Sequence, residues 1–358
     1  MKISYVSPFS DKAAVAFRAQ ELHAMLKFHR LVFYKADVYG CSGGALDDDS
    51  TVYIDSARKQ WLFLMHSYQI IKFVIESDIV IFLKTYPANI FAAAVLKIFF
   101  RKKIFFDLDE VDSITQLDLK SGLSSFVSFW FWRLSELLTK SISTGHLISN
   151  IRISSLLGLS NTFFLPNFVR YSSFNGLKFN PLVDLNIIYA GSFHNATEII
   201  DCLKWIHNKR FSIILIGTGR ELPLVEDFLR INNYKFTSDG HLDSNRLICR
   251  LNEVRGVFLA PYRKIERVRY SSSGKLPIYM STGCPVIVSL VDGPLDFERS
   301  SNVFFKYKHP SEIVGLLSSI FDQNAFDHNR CQAQKLLVEN HFNIEVQAPR
   351  LLSYLCER

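Results

Sequence analysis

The 358-residue sequence has no closely spaced pair of cysteines. Its six cysteines follow no regular spacing; they are Cys41, Cys202, Cys249, Cys284, Cys331 and Cys356. The missing Cys-x-x-Cys pair argues against a disulfide framework and against a zinc site, and scattered thiols are typical of a reducing cytosol. We therefore expect a cytoplasmic protein.

Long apolar runs are also missing. Residues 121–132 are uncharged but end at Arg133, and these 12 residues are too few for a membrane-spanning helix, which needs about 20. Residues 1–6 lead straight into a strand pattern and lack the apolar core and cleavage site of a signal peptide. The sequence predicts a protein that is cytoplasmic or lies peripherally on the inner face of the cytoplasmic membrane.

The net charge of +7 is spread along the chain without a long Lys/Arg tract. This distribution argues against a nucleic-acid partner, whereas nucleoside diphosphates and anionic lipid headgroups fit a dispersed basic surface. Hydrophobic residues make up 48% of the chain, and phenylalanine occurs 31 times. Two domains can each bury a full core.

Short apolar strands alternate with helix-length segments, the pattern of an α/β fold with parallel sheets covered on both faces. The strands are predicted at 3–6, 78–83, 103–106, 141–144, 162–165, 186–190, 211–216, 257–260 and 285–289. The helices are predicted at 13–27, 89–99, 197–207, 222–230 and 276–281 and over the last 30 residues.

Residues 168–184 are polar and irregular, and the strand–helix pattern restarts after them. We predict a first Rossmann-like domain over 1–175, a second over 176–335, and a final helical segment over 336–358. Open parallel sheets bind ligands at the carboxyl ends of their strands, so two such domains imply a cleft that holds the chemistry.

The strongest local motif begins at Ser271-Ser272-Ser273-Gly274-Lys275-Leu276 and continues to a buried strand after Gly283. A small-residue loop lets a phosphate approach, and backbone N–H groups at a helix start together with Lys275 can bind an anion. An ordinary helix cap is the alternative for this segment taken alone.

This motif resembles the donor-binding motif of GT-B glycosyltransferases of the large retaining family 4, one branch of which reads S-P-x-K-L-x-E-Y-M-A-x-G-x-P-V-I. The residues that match at the same spacing are Lys275, Leu276, Tyr279, Met280, Gly283, Pro285, Val286 and Ile287. Residues 189–192, 216–219 and 258–262 resemble, in order, the family's first two turns and the strand before the motif. The resemblance covers most of the C-terminal half and, loosely, the N-terminal half.

The resemblance implies the GT-B fold, with two Rossmann-like domains facing a central cleft and the C-terminal helix crossing back to the N-terminal domain. It also implies transfer of a sugar from a nucleoside diphosphate to a glycan or lipid-linked acceptor with retention, and no metal or other cofactor. The donor site it predicts consists of Gly191, Ser192, His194, Gly217, Gly219, Arg220, Arg269, Ser272, Ser273, Gly274, Lys275 and Leu276. For Arg220 and Arg269, solvated loop charge is the alternative.

Two departures from the family pattern leave other functions open. The family's two glutamates would fall at Ser271 and Ile278, and the Gly-Gly usual near the first strand is replaced by Asp11-Lys12-Ala13-Ala14. A catalytically silent GT-B module that scaffolds a polysaccharide assembly complex therefore remains an alternative. A GT-B sugar-nucleotide epimerase is the enzyme alternative.

Acidic residues follow the strand predicted at 103–106, and we predict Asp107 and Asp109, with Lys275, as the catalytic residues. Asp107-Leu108-Asp109 resembles the metal-binding DxD of the GT-A fold, which the Rossmann-like second half contradicts. Asp107 is also predicted to contact the acceptor, together with Phe9 and His146. Strand-end capping and a structural histidine are the alternatives.

An aromatic segment runs Phe126-Val127-Ser128-Phe129-Trp130-Phe131-Trp132-Arg133-Leu134. Core packing is the preferred interpretation. The alternative is contact with the interfacial layer of a membrane, where tryptophan next to arginine is favourable.

Overall fold

A computed structural model describes residues 1–8, 16–34, 50–54, 63–119, 122–174, 184–206, 210–296, 302–321 and 328–358. The chain divides into two compact units. The first consists of Met1–Asn167, Arg269–Ser272 and Ile344–Arg358, and the second of Phe168–Val268 and Ser273–Asn343.

The first unit is built on a parallel sheet covered by helices. In chain order its elements are β1 (Ile3–Ser7), α1 (Ala16–Leu26), β2 (Arg30–Tyr34), β3 (Thr51–Ile54), α2 (Phe63–Val74), β4 (Ile79–Leu83), α3 (Pro87–Phe100), β5 (Lys103–Leu108), α4 (Asp112–Leu119), α5 (Leu123–Ile142), β6 (Gly145–Ile148), α6 (Ile151–Leu157) and β7 (Thr162–Phe164). The seven described strands lie in the order β3-β2-β1-β4-β5-β6-β7. Strands β1 and β4 are buried along their whole length because helices cover both faces of a parallel sheet.

The second unit repeats this architecture with a smaller sheet. Its elements are β8 (Asn186–Ala190), α7 (Ala196–Leu203), β9 (Ser212–Ile216), α8 (Leu222–Ile231), β10 (Lys235–Ser238), α9 (Ser244–Glu253), β11 (Val257–Ala260), α10 (Glu266–Arg269), α11 (Lys275–Ser281), β12 (Val286–Ser289), β13 (Phe305–Tyr307), α12 (Ile313–Phe321) and α13 (His328–Leu337). The described strands are parallel, in the order β10-β9-β8-β11-β12-β13. Strand order reverses between β8 and β11, which is the switch point where such sheets bind ligands.

The last helix, α14 (Ile344–Glu357), belongs to the first unit. The hydroxyl of Tyr354 donates to the backbone oxygen of Asn161 at 2.6 Å. The Tyr354 ring lies 5.7 Å from that of Phe105 and 5.2 Å from that of Phe163. The expectation that the final helix returns to the N-terminal domain is thus confirmed.

One predicted strand was wrong. Residues 141–144 were predicted as a strand, but α5 continues to Ile142 and the strand is β6, Gly145–Ile148. His146 therefore lies within a strand. The predicted boundary after residue 175 falls in 175–183, outside the described residues, and stays a prediction.

None of the helices in the described ranges is long and apolar enough to cross a membrane.

Candidate functional site

Glycine-containing turns follow two neighbouring strands of the second unit. Gly191 follows β8 and Gly217 follows β9. Gly217 has a φ of 126°, and a Cβ atom there would overlap the backbone oxygen of Gly191. A Cβ at Gly219 would likewise overlap the backbone of Phe193. The two turns therefore pack backbone to backbone, which only glycine permits.

Helix α11 is fixed to the end of β8 by one buried tyrosine. The hydroxyl of Tyr279 donates to the backbone oxygen of Ala190 at 2.6 Å and accepts from its N–H at 2.9 Å. This pair of bonds sets the position of α11 and places its first residue, Lys275, beside Gly191. A Cβ at Gly191 would lie 2.5 Å from Cε of Lys275.

The ammonium of Lys275 is held by aromatic residues. Its Nζ donates to the Tyr189 hydroxyl at 2.7 Å and lies 4.4 Å from the centre of that ring and 5.9 Å from the ring of Tyr262. No carboxylate of the described residues lies within 4.0 Å of it. Burial lowers the pKa of Lys275 to about 8. A cation without a carboxylate at the carboxyl ends of β8 and β9 is suited to an anionic ligand.

The N–H groups that open α11 are already engaged. The Ser273 hydroxyl accepts from the N–H of Lys275 at 3.2 Å and from that of Leu276 at 3.1 Å, and it also hydrogen-bonds to the Tyr262 hydroxyl. Because Ser273 caps these donors, the favourable charge for an anion comes chiefly from the Lys275 ammonium.

The other predicted donor residues are distributed over both units. Ser192 and His194 are exposed in the turn after β8, and Arg220 is exposed after β9. Gly274 is exposed just before α11. Arg269 and Ser272 belong to the first unit.

The pairing of a carboxylate on α7 with an arginine after β11 had no signal in the sequence. Glu198, in the first turn of α7, forms an ion pair with Arg263: its Oε1 lies 2.8 Å from the Nε of Arg263. Its second oxygen is buried and has no hydrogen-bond partner among the residues that the structure describes. Since the two residues are far apart in sequence, only the fold reveals the pair.

In the first unit, an ionic cluster follows β4 and β5. The ammonium of Lys84 lies 2.8 Å from Asp109, 2.6 Å from Glu110 and 3.2 Å from Asp112. Burial lowers the pKa of Lys84, but the three carboxylates outweigh it and hold that pKa well above its usual value. Burial raises the pKa of Asp109 and raises that of Asp112 to about 6. Sequence reasoning found Asp109 but missed Lys84, although both follow a strand of the same sheet.

Asp107 has a different environment. It lies inside β5, is fully buried, and accepts two bonds from Arg18 at 2.8 and 2.9 Å and one from the Tyr5 hydroxyl at 2.7 Å. Arg18 also donates to the backbone oxygens of Leu165 and Pro166. Asp107 is thus part of a buried ion pair that joins β5 to α1 and, through Arg18, to residues 165 and 166, and the sequence did not indicate this pair.

Of the two remaining predicted acceptor residues, the structure describes only His146. His146 is buried in β6, paired with Phe106, and its Nε2 lies 3.1 Å from the Thr139 hydroxyl and 3.2 Å from that of Ser143, at the end of α5. Burial lowers the pKa of His146 to about 4. Phe9 and residues 11–14 lie outside the described residues.

No family model matches the sequence, and no curated protein matches it. Solved structures do match. The HepE protein of Anabaena, in complex with UDP, superimposes with a TM-score of 0.76 at 10% identity, covering 100% of both chains. The sucrose-phosphate synthase of Thermosynechococcus elongatus gives 0.76 at 12% identity, covering 100% of this chain and 99% of that one. The lipopolysaccharide outer core galactosyltransferase WaaB gives 0.66 at 14% identity over 100% and 99%.

The chain has the GT-B fold. At the two positions where family 4 of this fold has glutamates, the side chains are not acidic. Ile278 packs against the core of the second unit, and Ser271 accepts a bond from Asn150 at 3.0 Å through its backbone oxygen. Across the described ranges, no group of three histidine, cysteine or acidic residues could hold a metal ion.

Proposed function

We propose that this protein is a retaining glycosyltransferase that moves a sugar from a nucleoside diphosphate to a glycan or lipid-linked acceptor. One observation carries the proposal: Lys275 presents a partly buried ammonium at the carboxyl ends of β8 and β9, and none of the described residues gives it a carboxylate partner. A diphosphate supplies the missing negative charge and accepts hydrogen bonds from the ammonium.

The turns around Lys275 support a phosphate ligand. Because Gly191 and Gly217 have no side chains, the two turns pack against each other and against the Lys275 side chain, which fixes the ammonium at the carboxyl ends of β8 and β9. When the sugar–phosphate bond breaks, negative charge grows on the departing diphosphate, and a fixed ammonium stabilises that charge. We propose a uridine nucleotide as the donor, since HepE was solved with UDP.

The acceptor hydroxyl is proposed to meet Asp109. This carboxylate keeps about a sixth of its surface exposed, 16%, whereas the neighbouring Asp107 is fully buried. Lys84 fixes Asp109 through the 2.8 Å contact. A carboxylate held in this way can orient a sugar hydroxyl, while the donor's own phosphate oxygens take its proton. No metal is proposed.

The biological setting we propose is the synthesis of a bacterial surface polysaccharide, on the cytoplasmic face of the membrane. The name of WaaB, a lipopolysaccharide outer core galactosyltransferase, supports this setting. We also propose that the protein contacts the membrane peripherally.

A catalytically silent GT-B module is the second candidate. One observation favours it: neither Ser271 nor Ile278 supplies the carboxylate that family 4 uses to hold its donor. In that case the protein binds a nucleotide without turning it over. The unpartnered oxygen of Glu198 is a candidate replacement for one missing carboxylate.

The test is a titration with UDP-, GDP-, ADP- and CMP-sugars, read by thermal shift and by release of the nucleotide. Wild-type protein should be stabilised by UDP-sugars. Lys275→Met should weaken binding at least about tenfold, as expected for loss of a charged contact. Lys235→Met removes an exposed lysine from β10 and is the matched control, with binding unchanged.

The outcomes separate the candidates. Binding with turnover supports the transferase. Binding without turnover in the presence of bacterial lipid-linked glycans supports the silent module, and hydrolysis or isomerisation without an acceptor supports the epimerase. If no nucleotide binds at millimolar concentration, the donor-site proposal is wrong.

A further inference from the structure

Helix α5 buries polar side chains and exposes apolar ones, the reverse of an ordinary surface helix. Its buried residues are Ser125, Ser135, Glu136 and Thr139, all of them polar. Its exposed apolar side chains each leave at least 40% of their surface in solvent; they are Leu123, Phe126, Val127, Trp130, Phe131, Leu134, Leu137 and Leu138. A surface helix of a globular protein normally turns its apolar stripe toward the core. Core packing, the preferred interpretation of residues 126–134, is therefore wrong for most of these side chains.

The rotation of α5 about its axis is fixed by buried contacts. The backbone N–H of Ser113 donates to Glu136 at 2.9 Å and its hydroxyl donates at 2.8 Å. Arg133 adds an ion pair at 3.4 Å. Turning α5 to bury its aromatic side chains would take Glu136 away from these donors, and a carboxylate is stable in a protein interior only when it is paired. The apolar side of α5 must therefore face outward.

Helices α2 and α3 extend the same surface. They carry the crossovers from β3 to β4 and from β4 to β5, and α5 lies in the crossover from β5 to β6. Right-handed crossovers in the same direction across a sheet place their helices on one face. The rings of Phe63 on α2 and Phe91 on α3 lie 6.3 Å apart, so the two helices adjoin through exposed aromatic residues.

Exposed apolar residues are concentrated on these three helices. Those on α2 and α3 are Phe63, Leu64, Met65, Tyr68, Phe91, Ile98, Phe99 and Phe100. With the residues of α5 they form a surface that we call the apolar helix face. It includes more than half of the large hydrophobic side chains that the described residues expose. Such a concentration marks an interaction surface.

The exposed charges on the three helices themselves have one sign, and the exposed Glu76, two residues after α2, is paired with Lys2 at 3.1 Å. These helices carry a single acidic residue, Glu136, which is buried. The cations Lys72 and Lys140 are exposed near the carboxyl ends of α2 and α5, and Arg101 is exposed directly after α3. Since crossover helices run opposite to their parallel strands, these three ends lie at the same edge of the sheet. The cations therefore border one side of the apolar surface.

We propose that the apolar helix face binds the surface of a bilayer that contains anionic lipids, with α5 lying in the plane of the membrane. Aromatic and leucine side chains with a basic border are the composition of interfacial helices. At 20 residues α5 is about 30 Å long, and in this orientation its inward polar contacts stay intact. The proposal rests on the peripheral membrane contact of the proposed function and names the surface that makes it, and it does not depend on the donor or the acceptor.

The first test is flotation of the full chain with vesicles of phosphatidylcholine alone or mixed with phosphatidylglycerol at about 7:3. Wild-type protein should float with the mixed vesicles. Phe126→Glu/Trp130→Glu should lower partitioning at least about tenfold, because two large apolar side chains no longer enter the interface. The matched control is Ile231→Glu on α8 of the second unit, where Ile231 is 77% exposed and partitioning should not change. Circular dichroism verifies that each variant folds.

The charge contribution is tested separately. Arg101→Gln/Lys140→Gln should weaken binding to the mixed vesicles by about fivefold for each cation removed. The same variant should bind phosphatidylcholine vesicles as the wild type does. Raising the salt concentration should reproduce the effect of the substitutions.

The depth of insertion is read from Trp130. With Trp61, Trp132 and Trp205 replaced by phenylalanine, Trp130 should be quenched by lipids brominated near the headgroup. Absence of flotation with both vesicle types overturns the proposal. So does a wild-type dimer, seen by sedimentation without lipid, that Phe126→Glu/Trp130→Glu converts to a monomer, since the face would then join two copies of the chain.

Discussion

The Lys275 ammonium donates a hydrogen bond to the Tyr189 hydroxyl at 2.7 Å, and that hydroxyl donates to the backbone oxygen of Ser192 at 2.9 Å. Burial raises the pKa of Tyr189, so this partner is neutral at physiological pH. A neutral partner orients the ammonium without compensating its charge. The electrostatics of the site therefore favour an anionic ligand.

This preference for an anion predicts a pH dependence of nucleotide affinity. The pKa of Lys275 is lowered to about 8 in the free protein, and a bound diphosphate favours the charged form and raises it. The affinity for UDP should therefore fall above pH 8, by up to about tenfold per pH unit. Calorimetry from pH 7 to pH 9.5 measures the fall. In Lys275→Met this fall should be absent; an equal fall in both proteins would assign it to another group.

The free protein should show the opposite trend in stability. Between about pH 8 and the usual lysine value near 10.4, the unfolded chain holds a proton at Lys275 that the folded chain has lost. Stability from this group therefore rises with pH across that window. Denaturant unfolding of wild-type protein and Lys275→Met should give curves that diverge in this direction above pH 8. Parallel curves would contradict the lowered pKa.

The backbone contact at Gly217 predicts a strong effect of a single methyl group. Gly217→Ala should destabilise the fold by about 2 kcal/mol or more, because the Cβ meets the oxygen of Gly191 at a φ of 126°. Gly274→Ala is the matched control, since its Cβ has no atom within 4 Å and its φ is −75°. Its stability should change by less than about 0.5 kcal/mol. Urea titration compares the two variants, and equal effects would contradict the close packing of the turns.

The buried pair of Arg18 and Asp107 should have a large coupling energy. Arg18→Met leaves a buried carboxylate unpaired and should cost about 3–5 kcal/mol, whereas adding Asp107→Asn should recover part of that loss. The exposed pair of Lys204 and Asp201, at 2.9 Å, should couple by less than about 0.5 kcal/mol. Two double-mutant cycles measure the difference. Similar coupling energies would show that burial of the first pair has no consequence for stability.

From the cluster around Lys84 we predict that the stability of Lys84→Met, relative to wild type, decreases as the pH rises. Lys84→Met leaves three carboxylates together, so the pKa values of Asp109 and Asp112, which burial already raises, rise further above those of the unfolded chain. The folded state then binds more protons than the unfolded state, and stability falls with increasing pH. The deficit relative to wild type should be larger at pH 7 than at pH 5 in denaturant unfolding. Lys72→Met, an exposed lysine of α2, should show no such difference.

Much of the second sheet was predictable from sequence. Strands β8, β9, β11 and β12 were predicted within one residue, because each contains a short apolar run next to a glycine or a proline. The edge strand β10, Lys235–Ser238, was not predicted, since its residues are mostly exposed and carry no apolar alternation. Strand β6 was misplaced because Ser-Ile-Ser-Thr before it has β-branched residues, although α5 packing extends the helix to Ile142.

The candidate site was predictable where the motif fixed it. Lys275 was found from the small-residue motif, and Gly191 and Gly217 from the resemblance to family 4; the structure brings the three together. Lys84 and Arg18 were missed because their roles depend on carboxylates far along the chain. The orientation of α5 was also beyond the sequence, because the contact between Glu136 and Ser113 decides it.

The first unit is assembled from three separate stretches of chain, and α14 follows the whole second unit in sequence. During synthesis, strands β5 to β7 are therefore made before the whole second unit, and α14 is made after it. Until then, the surface of β5 and β7 that Tyr354 contacts remains uncovered. Contacts across such a separation form slowly and leave apolar surface open to aggregation. A fragment that ends near residue 167 therefore lacks α14 and with it the contacts that Tyr354 makes with Phe105 and Phe163.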